Sequence, residues 1–588
     1  MKPKDNKRRT TASSSHLLPE QREYVGVLSL TWRGGYVVPN RKQFKRDIFI
    51  PDHLLGRAMD GDKVLVRLTE WKRYKHYPEG EIISVIGRAG ENDTEMNSIL
   101  AEFGLPNSYP QQVVDEAEAI EDTITEQEIL RRKDMRNITT FTIDPADAKD
   151  FDDALSFREI TGDSSDITYE VGVHIADVTH YVRPDTLLDN EAYTRGTSVY
   201  LVDRVVPMLP EKLSNGICSL RPDEDKLCFS VIFQMDADAN VLKYNIKRTV
   251  IRSNRRFNYD EVQNIIETGS GDYSKEILTL NGLAQILREQ RFAHGAIDIQ
   301  QDEVGFQVDE NGKPLSVFFR EHKESNQLIE EFMLLANRTV AEYIGKKRNS
   351  TFVYRVHDVP DQEKLLELQK FVHNFGYRLD LSVQKHTAHE MNTLLHDVQG
   401  KPEQDLIQML ALRSMAKAVY STKNIGHYGL AFPYYTHFTS PIRRYPDMMV
   451  HRLLTQYMKG KCTVSESELE DRCKHCSEQE QLAALAERAS VKYKQVEFMQ
   501  DNIGRQFDAV ISSVTDFGFF VELTENKCEG LVPVRTVSEQ FDDTFFYEED
   551  ALCMYGVNTG RRFRLGDKVR VKLTEADLEK KQLNFVLV

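Results

Sequence analysis

The sequence predicts a multidomain α+β protein: a small OB-type β-barrel near the N-terminus, a long central α+β region, and a second β-rich block at the C-terminus. Three observations predict it. Short strands separated by turn signals fill residues 24–86 and return after Gly504. Between them the apolar pattern changes from alternation, the mark of half-buried strands, to a helical period. A chain of 588 residues also exceeds what one hydrophobic core usually holds, so several domains are expected.

In chain order, residues 1–22 form a basic tail, expected to be disordered. Tyr24–Leu28, Tyr36–Val38, Asp47–Ile50, Lys63–Arg67 and Glu81–Ile86 are predicted strands. Gly34-Gly35, Pro39-Asn40 and Asp60-Gly61-Asp62 supply their turns. Five short strands over 23–88 suit an OB-type barrel. Trp32, Tyr36, Phe44 and Phe49 interleave with Arg33, Arg41, Lys42, Lys45 and Arg46. Such a surface can stack bases and track phosphates, although a plain small barrel needs aromatics too. Residues 89–135 are an acidic connector, expected to be helical from Gln111 onward.

The central region, 136–500, begins strand-rich, with Ile138–Ile143, Ala154–Phe157, Ile167–Val178, Lys226–Met235 and Lys243–Ile251. It turns helical later. In the segment Leu328–Tyr343, Leu328, Phe332, Leu335 and Thr339 fall at helical spacing, which predicts one buried face. The last block, 501–588, alternates over 505–511, 518–523, 530–533 and 567–573. Phe517 and Phe519, with Arg and Lys nearby, suggest a second stacking surface.

Charge and cysteines bound the function. The net charge is −16, which by itself argues against a nucleic-acid partner. Its distribution says otherwise: residues 1–75 hold 17 Lys and Arg against 8 Asp and Glu, whereas 89–130 hold 11 Asp and Glu and no Lys or Arg. That segregation predicts a basic binding surface followed by an acidic connector. Seven cysteines spread over the chain do not form a disulfide framework, and no apolar run is long enough to cross a bilayer. A cytoplasmic location is expected. Cys473-Lys-His-Cys476 has zinc-like spacing but no second pair, so it is expected to be two thiols of a helix.

The most informative stretch is Asp144-Pro-Ala-Asp147-Ala-Lys-Asp150-Phe-Asp152-Asp153. Setting Asp147 aside gives Asp-x5-Asp-x-Asp-Asp between two half-buried strands. Carboxylates crowded against a core must be protonated or share a cation. Divalent metals such as Mg²⁺ take oxygen ligands, and a pair of them can assist attack on a phosphodiester and stabilise its leaving oxygen. A solvated acidic loop or a calcium turn would show the same composition. An EF-hand is excluded, because the loop lacks its Gly and its terminal Glu.

Further motifs follow in order: His174-Ile-Ala-Asp-Val178, Gly196-Thr-Ser-Val-Tyr200, Pro207–Leu220, Tyr354-Arg-Val-His-Asp358 and Phe438-Thr-Ser-Pro-Ile-Arg-Arg-Tyr-Pro-Asp447. With the aspartate stretch, they resemble the catalytic domain of the ribonuclease II / ribonuclease R family of 3′→5′ exoribonucleases, and the ribonuclease R branch more closely. The first barrel resembles a cold-shock domain and the last block an S1 domain, so the central region would be of the RNB type.

The resemblance implies processive, metal-dependent hydrolysis of single-stranded RNA to nucleoside 5′-monophosphates by a monomer. Asp144, Asp150 and Asp153 match positions that hold or orient Mg²⁺, with two ions expected, and Asp152 matches the position most sensitive for catalysis. Arg443 matches the arginine at the scissile phosphate, with Arg444 beside it as an RNA contact. Tyr200 matches the aromatic that stacks on the innermost nucleotide and sets where cleavage stops. Glu330, Glu331 and Glu487 fall in helices lining the family's RNA channel; for Glu487 an exposed helical glutamate is the alternative. A non-catalytic RNA-binding regulator on the same fold is the competing reading.

The chain also departs from the pattern. Ile299 stands where many relatives place a phenylalanine opposite the terminal base, a wall without π-stacking. One cold-shock-like block precedes the catalytic region where relatives usually carry two, and no lysine-rich tail follows. Association with a helicase or a ribosome is left open by these residues.

Overall fold

The protein was analysed as a computed structural model, which describes residues 23–40, 44, 46–70, 77–161, 167–299, 303–347, 350–383, 387–401, 403–460, 464–548 and 553–588. The basic tail and Arg41, Lys42 and Lys45 lie outside the described residues.

Strands β1 (Glu23–Thr31), β2 (Gly34–Pro39), β3 (Ile48–Ile50), β4 (Asp62–Glu70) and β5 (Glu79–Arg88) close into a barrel in the order β1-β2-β3-β5-β4. Alternation sends Leu28, Val37, Ile48, Ile50, Val64 and Val66 inward, where all are buried. The first turn falls on Trp32-Arg33, one step before the expected Gly34-Gly35, which instead opens β2. A side chain at Gly34 would strike the Ile50 carbonyl at 2.5 Å, so β2 approaches β3 there without one.

The connector carries three helices, α1 (Asn92–Glu102), α2 (Gln111–Glu118) and α3 (Glu126–Leu130). Helix therefore begins well before the expected Gln111. Acidic composition masked a short apolar stripe: Met96, Ile99 and Leu100 lie on one face and pack with Val199, Leu201, Ala483, Ala486 and Tyr493. On the same helix Glu95 accepts from Lys63 of the barrel at 2.5 Å, both side chains buried.

The centre is a seven-stranded sheet of β6 (Lys133–Asp134), β7 (Thr140–Asp144), β8 (Asp153–Thr161), β9 (Ile167–Ala176), β12 (Asp225–Met235), β13 (Val241–Arg252) and β14 (Arg255–Asn258), ordered β14-β7-β8-β9-β12-β13-β6. Between β9 and β12 a short hairpin, β10 (Val199–Tyr200) and β11 (Val205–Val206), stands apart from the sheet. Phe141, Leu155, Val173, Ile175, Phe229 and Val231 join the sheet to the main hydrophobic core. The helix Glu324–Gly345 lays its predicted face on that core, with Leu328, Phe332, Leu335 and Thr339 all buried. A second hairpin, β15 (Glu303–Val308) and β16 (Pro314–Arg320), precedes that helix. The helices Tyr445–Met458 and Glu466–Gln500 complete the region. Cys473 and Cys476 are buried free thiols of the second of these.

The C-terminal barrel closes through Gln506–Thr515, Gly518–Leu523, Glu529–Pro533, Lys568–Asp577 and Gln582–Leu587. A helix, Val534–Phe541, and a three-stranded sheet with strands at Phe545–Glu548, Cys553–Gly556 and Arg562–Arg564 interrupt it. The two aromatics expected to stack on RNA separate here. Phe517, in the turn, is 53% exposed, whereas Phe519 is 0% exposed and stacks on Phe563 at 5.3 Å. The period of two decides this: Phe519, Val521 and Leu523 share the inner face and Phe520 the outer one. Phe519 is thus a core residue, which corrects its assignment as a stacking surface.

Phe519→Ala should lower stability by about 3–5 kcal/mol in a denaturant titration, while Phe517→Ala should stay within about 0.5 kcal/mol of the parent. Equal losses would contradict the register.

Candidate active site

The aspartate stretch is the loop from β7 to β8, and three distant segments hold it. Phe151 donates its amide to Ser219 Oγ at 3.0 Å, Ser219 donates to the Lys149 carbonyl at 2.8 Å, and the Leu220 amide bonds the Phe151 carbonyl. Ala176, at the end of β9, donates its amide to the Asp152 carbonyl. Ile442, 290 residues away, donates its amide to Asp152 Oδ1 at 2.9 Å. Three of the sequence motifs therefore converge on one loop. Arg256 bonds the Pro145 and Ala146 carbonyls from the flank.

Within the loop, Asp152 is 4% exposed, Asp144 is buried, and Asp150 and Asp153 are half-buried. Asp147 is exposed. Arg443 brings its Nε to 3.5 Å from Asp152 Oδ2, and its Nη2 donates to Ser440 Oγ at 2.9 Å. The Arg443 carbonyl accepts from the Ser198 amide and from Thr197 Oγ1 at 3.1 Å, which ties this loop to the segment ending in Tyr200. Tyr200 is partly exposed; burial pushes its phenol up to about 12, with Arg443, Asp150 and Asp152 acting electrostatically on it. Tyr200, Arg443 and the aspartates accordingly face one centre.

The electrostatics are those of a pocket short of positive charge. Burial pushes Asp144 up to about 7, Arg256 opposes this, and Asp152 and Asp150 add to it. Burial and then Asp144 push Asp153 up to about 7 as well, against Arg443 and Arg444. Asp150 is raised and Asp152 is raised strongly, in both cases by burial and against Arg443. Among the described residues, Asp144 Oδ2 and Asp152 Oδ2 have no hydrogen-bond partner. No group of three or more His, Cys, Asp or Glu side chains there is drawn together closely enough to hold an ion. The donor set nevertheless fits a hard divalent cation: oxygen ligands only, two orphaned buried carboxylate oxygens, and excess negative charge.

The remaining predicted residues divide. Arg444 donates from Nε and Nη2 to Asp447, both at 2.9 Å, and Asp447 Oδ1 also accepts the Ser440 amide at 2.8 Å. Its guanidinium is committed to a carboxylate in the first turn of the helix Tyr445–Met458, so the structure makes Arg444 a strut where the sequence suggested an RNA contact. Glu331 is likewise buried and held by Arg291 at 2.5 Å; the helical period turns it toward the protein and leaves Glu330 half-exposed near His322 and Arg291. Glu487 is exposed on the helix whose Ala483 and Ala486 pack beneath Val199 and Leu201. Trp32 is 83% exposed with Arg33 over its ring, while Tyr36 is half-buried against Phe49 and Tyr77. Ile299 packs beside Ile297 on the helical cluster that contains Leu365 and Leu394.

Residue-type reasoning missed the supports. Asp447 lay within a quoted motif and its burial could have been inferred from the flanking apolar residues. Asn337, whose Oδ1 accepts the Phe438 amide at 2.8 Å, had only the signal of one polar residue inside a buried helical stripe. Ser219 had none.

An RNB domain family model matches residues 132–460, a cold shock domain model 36–110, and an S1 RNA binding domain model 500–586. A protein named Ribonuclease R from Aquifex aeolicus is 39% identical over 94% of this chain and 78% of its own length. Another of that name from Thermotoga maritima is 39% identical over 96% and 80%. The solved structure of Mycoplasma genitalium RNase R in complex with ribose methylated single-stranded RNA superimposes with a TM-score of 0.90 at 26% identity, covering 97% of this chain and 90% of that one.

The raised carboxylates generate a pH-dependent prediction. Without a cation, the native pocket binds more protons than the unfolded chain from about pH 4 to about pH 7. This contribution to stability is present at low pH and lost as pH rises through about 7. Mg²⁺ should therefore raise the melting temperature more at about pH 8 than at about pH 6. Asp144→Asn/Asp153→Asn should remove that difference. Equal shifts in parent and variant would count against a cation in this pocket.

Proposed function

The chain belongs to the RNB-domain ribonuclease R family, and from that membership we propose that it degrades single-stranded RNA processively from the 3′ end to nucleoside 5′-monophosphates. One observation carries the reading: Asp152 and Arg443, from motifs far apart in sequence, meet at 3.5 Å beside three further buried or half-buried aspartates.

Asp144, Asp150 and Asp153 would hold Mg²⁺, with room in the chemistry for two ions. When bound, the metal would activate the attacking water and stabilise the leaving 3′-oxygen. The Ile442 amide orients the Asp152 carboxylate, leaving Oδ2 directed at the reacting centre. Arg443, tethered to Ser440, presents its guanidinium where charge develops on the scissile phosphate. Tyr200 stacks on the last base and ends the channel. Trp32 and Phe517, both exposed, offer planar faces to the incoming strand, while Tyr36, Glu330 and Glu487 supply edges to its path.

The competing reading, a non-catalytic RNA-binding regulator, has less support because all four aspartates and Arg443 are in place. Among the described residues the cysteines are free thiols, which fits a cytoplasmic site of action, where we propose that the chain acts as a monomer. We take the domains as 23–88, 136–500 and 501–588, joined by the 89–135 connector.

With Mg²⁺ present, a 5′-labelled oligoribonucleotide should give a descending ladder and a 3′-labelled one only mononucleotide; internal cuts, or binding without turnover, would overturn the proposal. Asp152→Asn keeps the acceptor for Ile442 and should reduce turnover by ~10³-fold or more with RNA affinity retained. Parallel loss of affinity would assign Asp152 another role. Tyr200→Ala should lengthen the limit product, and an unchanged product would reject the stacking assignment.

A further inference from the structure

The start of the acidic connector is built into the support of Tyr200. Tyr200 occupies β10, paired with Val205 of β11, and its neighbours Val199 and Leu201 are buried against Met96, Ile99 and Leu100 of α1. The turn of this hairpin is fastened to the first residues of the same helix. Asn92 Nδ2 donates to Asp203 Oδ2 at 2.6 Å, and Arg204 donates to Asp203 at 2.8 Å and to Asp93 at 2.6 Å. The Leu201 amide closes the turn on the Arg204 carbonyl.

The other end of the Asn92 amide is fixed as firmly. Asn92 Oδ1 accepts from Lys494 Nζ at 2.7 Å, and this lysine is fully buried, donating also to the Gly312 carbonyl at 2.5 Å and to Glu497 at 2.7 Å. Gly312 has φ +77°, and a Cβ there would lie 2.3 Å from Asn92 Nδ2, so the β15–β16 turn closes directly over the amide. Further along α1, Glu95 pairs with Lys63 of the first barrel, and Glu102 pairs with Lys581 of the second at 3.3 Å. One helix thus touches both barrels, the 35-residue helix and the Tyr200 hairpin.

Resting on the assignment of Tyr200 as the stacking residue, we propose that Asn92 is a positioning residue for Tyr200, seating its hairpin between Lys494 and Asp203 and so fixing the length of RNA at which degradation stops. The side-chain chemistry is specific. An amide accepts from the lysine and donates to the aspartate at once. A carboxylate at 92 could accept from Lys494 but would face Asp203 as a like charge at hydrogen-bond range, and the turn would be driven off.

The test compares limit products and initial rates of Asn92→Asp, Asn92→Asp/Asp203→Asn and Tyr200→Ala. Asn92→Asp should yield a longer limit product and a raised KM on short oligonucleotides, with mononucleotide release from long RNA within about twofold of the parent. The double variant reverses the donor and acceptor and should restore the parental product, a rescue that general loss of stability would not show. If Tyr200→Ala lengthens the product but Asn92→Asp does not, or the double variant gives no rescue, the inference is overturned and the Tyr200 assignment stands. If Tyr200→Ala changes nothing, that assignment fails first. Should Asn92→Asp not fold, Asp203→Ala at the turn removes the same hydrogen bond. It is expected to lengthen the product, and a parental product from it would overturn the inference equally.

Discussion

Gathering four buried or half-buried carboxylates on one loop is the constraint on which the rest of this structure depends. Left to itself such a loop would spread its charges into water, since each buried carboxylate loses hydration and repels its neighbours. Here the backbone of the loop is held by partners from two other segments, the Ser219 hydroxyl and the Ala176 amide, while a third, the Ile442 amide, orients the Asp152 carboxylate. The carboxylates themselves are left underneutralised. That division, rigid main chain and unsatisfied side chains, is what a site awaiting positive charge requires.

A second aspartate shows that burial is not the cause by itself. Asp177 follows directly after β9 and is as buried as Asp152. Burial acts to raise it, yet Arg248 and Arg132, the latter at 2.8 Å, hold its carboxyl well below the usual range. Asp152, with one guanidinium at 3.5 Å and one amide, moves the other way. The protein can therefore neutralise an aspartate beside this sheet and does so where the role is structural. The same logic separates Arg444, committed to Asp447, from Arg443, whose guanidinium stays partly exposed at the centre.

Buried polar groups also connect the domains. Lys494, Lys63 and Glu95 are buried and Asn92 and Asp203 half-buried, and buried ion pairs add little net stability. Their directional bonds instead fix how α1 sits against the two barrels and the Tyr200 hairpin. Geometry is the property that a site assembled from distant segments needs held constant.

The sequence by itself determined the elements and the chemistry. Alternation in the first barrel, the buried face of Glu324–Gly345, and the ordered motifs around the aspartates and Arg443 were legible because periodicity and motif identity are local properties. Only the tertiary structure decided which side chains of those elements are available. Phe519 turned inward by strand register, Glu331 was captured by Arg291, and Arg444 by Asp447; each depends on a partner or a core that no local pattern names. The α1 helix was hidden because acidic composition outweighed a three-residue apolar stripe whose partners, Val199 and Ala486 among them, lie hundreds of residues apart in sequence. Pairings of that range are set by the packing of whole domains, and it is packing that turned an apparent linker into the support of the site.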